Sequence, residues 1–436
     1  MTDVSEHPLT ALRRQRGWTL VDVANLVQRR TGLNMACRRE KVWRWEHGVT
    51  PEVVAQHALA AELGLPQQII GRHPWPRWLE LADPAEPVDV PWTAVGASRT
   101  LDRVVESAGV DRRHFLILSG TGLATAWLAA EPEHFAPLAA GRVTDDTVTR
   151  LQARVEQLWH LDDELGGGAC LDTGTADLRL VATLIRHGSY TPAVAIRLYS
   201  LAAALARFCG FAAFDAGHDA AGQRFWHAAL RCAAACGDTD QGVYVLSNLA
   251  LQAIYSQDGA TALALLDVAR RRVDPAARTV LAMLDCWAAR AHSVLGEPGI
   301  AARLLNHADD LWLHRQPGDD PGWVYWMPQP SLTAEAGTTL LDIGDLSAAQ
   351  RCLTAGVATL DPGAVRDRNL YHVRIGQAHL RAGNLDAAAS STEQVIDMAA
   401  TVESARVHAR VDQLLGEFPD GEPVTTELRQ RWTGDH

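Results

Sequence analysis

Three stretches of this chain place a small residue, a glycine and an alanine at one spacing. Ala289, Gly296 and Ala301 form one set, Gly337, Gly344 and Ala349 a second, and Gly376, Gly383 and Ala388 a third. A looser fourth copy runs from Gln252 through Gly259 to Ala264, and the four glycines are 37, 48 and 39 residues apart. Between them lie helix-length runs of Ala and Leu, divided by Gly, Asp and Pro. A helix pair of this kind cannot bury its apolar face alone, so neighbouring pairs must stack into an array. An earlier pair, near Thr191–Arg207 and Ala216–Ala235, reads as a degenerate copy. The longest insertion, Gln316 to Pro330, is rich in Pro, Asp and Trp.

Charge divides the chain differently. The net charge is −12, yet Leu9 to Gly48 holds nine basic and three acidic side chains, a local +6, which leaves −18 for the remainder. A basic head on an acidic body suits a nucleic-acid-binding module joined to an unrelated domain, because cations displace the counterions condensed on phosphate. An Arg-rich solvated helix pair would carry the same charge. At 436 residues, 47% of them hydrophobic and only seven Phe and six Tyr, the chain has core enough for two to four mainly helical domains. Seven cysteines at scattered spacings, without a CxxC, read as reduced thiols packed as small hydrophobes; Cys232 and Cys236 have no second pair with which to hold a metal.

Within the head, a first helix is expected over Thr10 to Arg16, with Leu9 and Leu12 inward. Thr19 and Asp22 have the spacing of a capping box for a second, with Val23, Leu26 and Val27 as its buried stripe. Asn34 is a cap for a third helix running to His47, stopped by Gly48, and Thr50-Pro51 opens a fourth. Val42 and Trp45 should face the core, which turns Arg39, Glu40, Trp43 and Arg44 outward and leaves Arg38 and Lys41 on the flanks. A cationic helix of this kind can read a major groove. Leu12 to Thr19, Val23-Ala24 and Val42-Trp43-Arg44-Trp45-Glu46-His47-Gly48 together resemble the Cro/C1-type (XRE) helix-turn-helix regulators. The resemblance implies binding of double-stranded DNA through Arg38, Arg39, Glu40, Lys41, Trp43 and Arg44. It also implies a structural pairing of Glu46 with Arg13 or Arg14. Leu20 stands where the family usually has a DNA-gripping Gln, and the turn before the third helix is longer than is usual.

Residues 71–98 carry repeated Pro and read as a tether, with Trp75, Trp78 and Trp92 packing on a neighbouring domain. A helical docking region over 99–190, the array over 191–418 and a tail over 419–436 complete the organisation. The recurring small-residue, Gly and Ala pattern resembles the tetratricopeptide repeat, though its spacing exceeds that family's roughly 34 residues. In that family the small residue lets the first helix approach the second, the Gly turns the chain, and the Ala seats the return helix. The usual register implies that Arg290, Thr338 and Gln377 face a concave groove; Asn248 and Gln252 lie one turn apart on an earlier helix. Trp323 and Trp326, with Trp312 and Tyr325, form a wall or lid of that groove, or simply pack.

Head, tether and array together resemble a large group of actinobacterial regulators; Lys41, the only lysine, suits a GC-rich genome. The expected fold is all-α, a helix-turn-helix domain joined by a Pro-rich linker to a tetratricopeptide-like solenoid. The expected function is a cytoplasmic, homodimeric regulator whose array senses a peptide, small molecule or protein. The alternative is an interaction scaffold whose head docks protein. No catalytic, cofactor or metal residues are expected. Gly166-Gly167-Gly168 follows a helix and lacks the Lys-Ser/Thr of a phosphate loop, and Asp162-Asp163-Glu164 reads as a solvated helix face. Asp111 to Ala130 has the look of a twin-arginine export signal, but lies internally and reads as a buried helix or docking segment; no N-terminal signal or membrane partner is expected.

Overall fold

The structure, a computed structural model, describes residues 7–15, 18–32, 38–63, 70, 75–76, 79, 91–107, 120–132, 143–316 and 318–434. The described residues are helical, with no strand among them, and fall into two compact units, one up to residue 90 and one from residue 91.

In the first unit α1 spans Pro8–Gln15, α2 Leu20–Thr31, α3 Arg38–Trp45 and α4 Val53–Glu62. The capping box forms: the Asp22 amide donates to Thr19 Oγ1 at 3.2 Å, and the Thr19 amide to Asp22 Oδ2 at 2.8 Å. Gly32, at φ 69°, closes α2. Leu9, Leu12, Val23, Leu26, Val27, Val42 and Trp45 meet in one core, so the apolar positions chosen from the sequence are those that pack. One helix start differs, and another is not described. Asn34 lies outside the described residues, and α4 begins at Val53. Pro51 is instead buried ahead of α4, its carbonyl accepting from Gln56 Nε2 at 2.9 Å.

The second unit opens with α5, Ala94–Ser107, so a helix already begins inside the stretch expected to be tether. Next come α6 (Gly120–Ala129) and the long helices α7 (Asp145–Leu165) and α8 (Gly167–His187). Residues 108–119, which include the first nine of the export-like segment, lie outside the described residues. Antiparallel pairs follow: α9/α10 (Pro192–Asp215, Asp219–Cys236), α11/α12 (Thr239–Tyr255, Gly259–Arg270), α13/α14 (Arg278–Val294, Pro298–Leu313) and α15/α16 (Gln329–Asp342, Leu346–Thr359). Two more, α17/α18 (Val365–Arg381, Leu385–Ala399) and α19/α20 (Ala405–Glu417, Pro423–Gly434), end the chain. Among the described residues α9 alone is long and apolar enough to cross a bilayer, and most of it is buried against neighbouring helices.

The turn within each of the first five of these pairs holds one residue in the left-handed region: Gly217, Gln257, Gly296, Gly344 and Gly383, at φ 59–89°. This corrects the register of the loosest copy. Its turn residue is Gln257, not Gly259, so its small residue is Ala250 and its seating residue Ala262, both fully buried. It also promotes the degenerate pair to a full copy, Gly210, Gly217 and Gly222. A Cβ on Gly210 would lie 2.4 Å from the Trp226 ring, which shows how closely α9 and α10 approach.

The array closes on itself. The Glu403 amide donates to Leu165 O at 2.9 Å, and the Gly168 amide to Glu403 O at 3.1 Å. A Cβ on Gly166 would stand 2.6 Å from Glu403 O, and one on Gly167 2.5 Å from Ala212 O. The glycine run is thus a point of backbone approach. Behind it, Asp215 accepts from Arg406 Nε at 2.8 Å, from Ser404 Oγ at 2.8 Å and from the Gly167 amide at 3.0 Å.

Candidate functional site

In the first unit, burial of Val42 and Trp45 leaves Arg39, Glu40, Trp43 and Arg44 exposed and Lys41 half-buried. Arg38 opens the helix; its side chain lies outside the described residues. Arg44 pairs with Glu40 at 2.6 Å, and Lys41 Nζ is 3.6 Å from Glu52. Trp43, 49% exposed, stacks on His47 with ring centroids 3.9 Å apart. Glu46 is buried and accepts from Arg13 Nε at 2.8 Å, so of the two arginines weighed for it, Arg13 makes the contact. Arg13 also donates to Trp18 O at 3.1 Å, fixing α1 against the end of α3 and the start of α2.

In the second unit, the closed array holds a partly open cavity of about 100 Å³. Its walls follow a simple rule once the register is corrected. In each of the five pairs that carry the turn, the residue two before the small residue lines it: Phe208, Asn248, Trp287, Glu335 and Arg374. The residue one after lines it as well in four of them: Phe211, Leu251, Arg290 and Thr338. These positions are three apart and so share a helix face. Trp159, Asp162 and Asp163 of α7 and the Gly322–Trp326 turn supply the rest of one side.

Of the seven residues expected to contact a ligand, Asn248, Arg290, Thr338, Trp323 and Trp326 line this cavity. Gln252 and Gln377 do not. Gln252 accepts from Gln223 Nε2 at 2.7 Å and donates to Asp219 O at 3.0 Å; Gln377 accepts from Arg374 at 2.7 Å and donates to Glu417 at 2.7 Å. Both are buried between helices. Trp312 stands apart too, with the Arg315 guanidinium 3.5 Å above its ring.

The cavity wall is dense in charge. Arg290 pairs with Glu335 at 2.9 Å, and Arg366 with Asp162 at 2.5 Å and Asp163 at 3.4 Å. Arg374 pairs with Asp342. Asp163 is pushed up to about 7, chiefly by burial and further by Asp367 and Asp162, against the opposing pull of Arg366. Asp162 is therefore no solvated face: it is 5% exposed, while Glu164 two residues on is exposed. Arg207 differs from Arg290, Arg366 and Arg374. It is 4% exposed, and no described carboxylate lies within 4 Å of it. Its guanidinium lies 3.9 Å above Tyr244 and 5.1 Å from the Trp159 ring, while Nε donates to Gln241 at 3.1 Å. Burial lowers its affinity for its proton. A second, open cleft of about 720 Å³ adjoins from the other side, sharing Tyr255, Arg290, Arg374, Arg406 and Arg410 with the cavity.

Sequence reasoning missed Arg207, Tyr244, Trp287, Glu335 and Arg374. For Trp287, Glu335 and Arg374 the signal was one helical turn before the residues chosen. Among the described residues no cluster of three or more His, Cys, Asp or Glu is placed to hold a metal. No protein-family model matches the chain, and no curated protein matches it.

Proposed function

We propose that the chain is a DNA-binding transcription regulator whose helical array binds an effector that sets DNA affinity. One observation carries it. Val42 and Trp45 are buried while Arg39, Trp43 and Arg44 project from the opposite face of α3, and Arg13–Glu46 holds that helix against α1. A short helix so anchored offers its cationic face to a groove, where Arg both grips phosphate and donates two hydrogen bonds to guanine. The motif's likeness to the Cro/C1-type regulators supports this reading, and the corrected repeat spacing supports a tetratricopeptide-like array. The cavity of the array is where an effector would act.

The exposed Trp43 favours a second reading, a head that docks protein. Salt separates the two. Affinity of the full chain for a mixed-sequence duplex should fall steeply from 50 to 200 mM salt, and Arg39→Ala or Arg44→Ala should each lower the log–log slope by about 1. Absence of duplex retention at 50 mM salt sinks the DNA reading.

A further inference from the structure

The cavity of the closed array carries an imbalance of hydrogen-bonding groups. Six residues that line it each carry a buried donor with no acceptor among the described residues: Trp159 Nε1, Asn248 Nδ2, Arg290 Nε, Trp323 Nε1, Trp326 Nε1 and Arg374 Nε. On the same wall one acceptor, Asp162 Oδ1, lacks a donor. Buried polar groups are nearly always paired, and an orphan asks for a reason. Arg207 adds a buried cation with aromatic faces beside it that forms no ion pair with a described carboxylate, Asp162 acting on it only at longer range. An isolated buried charge is costly unless something pairs it. A guest rich in acceptors and negatively charged would satisfy both.

The aromatic walls specify its shape. Trp287 and Trp326 lie within 20° of parallel with centroids 6.5 Å apart, and Trp159 and Tyr325 within 15° at 6.2 Å. Flat walls favour a flat guest, and the volume admits only a small one. We propose that this cavity binds a small planar organic acid, its carboxylate on Arg207 and its ring among the tryptophans. Entry would be from the adjoining cleft, past Arg290, Arg406 and Arg410. The assignment names the effector class for the regulator reading and rests on it. Binding is measured without DNA, so a ligand that binds but leaves DNA affinity unchanged retires the coupling and leaves the site standing.

Benzoate and indole-3-acetate, each with its neutral amide, and inorganic phosphate are titrated into the full chain. Tryptophan fluorescence and thermal unfolding are followed. At least one carboxylate should quench saturably and raise Tm, while the amides and phosphate do neither. Arg207→Gln should weaken that binding by roughly tenfold or more without lowering Tm. Should that variant not fold, Asn248→Leu, which removes an unpaired donor, should weaken binding by roughly threefold. No saturable response to either carboxylate at 10 mM, which is about the weakest binding worth the name, overturns the proposal. So does equal binding of acid and amide, equal binding of phosphate, or unchanged affinity in the folded variants.

Discussion

Asp163 shows what one buried carboxyl can do to a stability profile. Its pKa is pushed up to about 7 by burial first, then by Asp367 and Asp162, despite Arg366 beside it and the Tyr325 hydroxyl donating at 3.1 Å. In the unfolded chain an Asp ionises near 3.9. Between these values the folded state holds the proton and the unfolded state does not, so this group's contribution to stability falls as pH rises from about 4 to about 7, then levels off. Asp163→Asn removes that contribution. The Tm of wild type minus that of the variant should therefore decline across the window; a flat or rising difference sinks the assignment. Little of this was legible beforehand. Three adjacent acids suggested a solvated face, but successive helix positions point in different directions, and the cation that receives Asp162 and Asp163 is Arg366, some two hundred residues away. Local pattern does not reveal a partner at that distance.

Helix pairs were far easier to read, because each repeats the same small set of steric demands. Where a small residue, a left-handed glycine and an alanine kept their spacing, the structure places helix, turn and helix as expected. The loosest copy went astray for a physical reason: Gln257, not a glycine, takes the left-handed turn at φ 59°, so the nearby Gly259 was mistaken for it. That two-residue slip hid the rule that the cavity face recurs two before and one after the small residue; Gln252, chosen for lying one turn from Asn248, faces the preceding helix instead. Glycines inside these helices accordingly differ in what they tolerate. Gly210→Ala would force a Cβ into the Trp226 ring and should cost about 1–3 kcal/mol as overpacking. Gly299, in the first turn of α14, has only the tip of Arg303 within 4 Å, at 3.8 Å; Gly299→Ala should stabilise by about 0.5–1 kcal/mol. Urea unfolding of the two variants checks both signs, and equal effects would deny the close approach of α9 and α10.

At the scale of the second unit, what distinguishes this array from an open stack is that its ends meet. In an open stack each pair touches only its neighbours and stability is a sum of local terms. Here Leu165 and Gly168 bond to Glu403, and Asp215 of α9 is fully buried against Ser404 and Arg406 at the start of α19. Burial alone would raise the Asp215 carboxyl; Arg406, Arg366 and the Gly167 amide outweigh it and hold it below the ordinary range. Removing one partner of such a pair strands the other charge in the interior, at about 3–5 kcal/mol. Asp215→Ala should therefore lower unfolding stability by that amount, and amide exchange at Gly168 and Glu403 should quicken together. Arg150→Ala breaks the exposed pair with Asp146 on α7 and should cost under about 1 kcal/mol. Were the two variants equally mild, closure would contribute nothing, and the cavity within the array would lose its claim to a fixed shape.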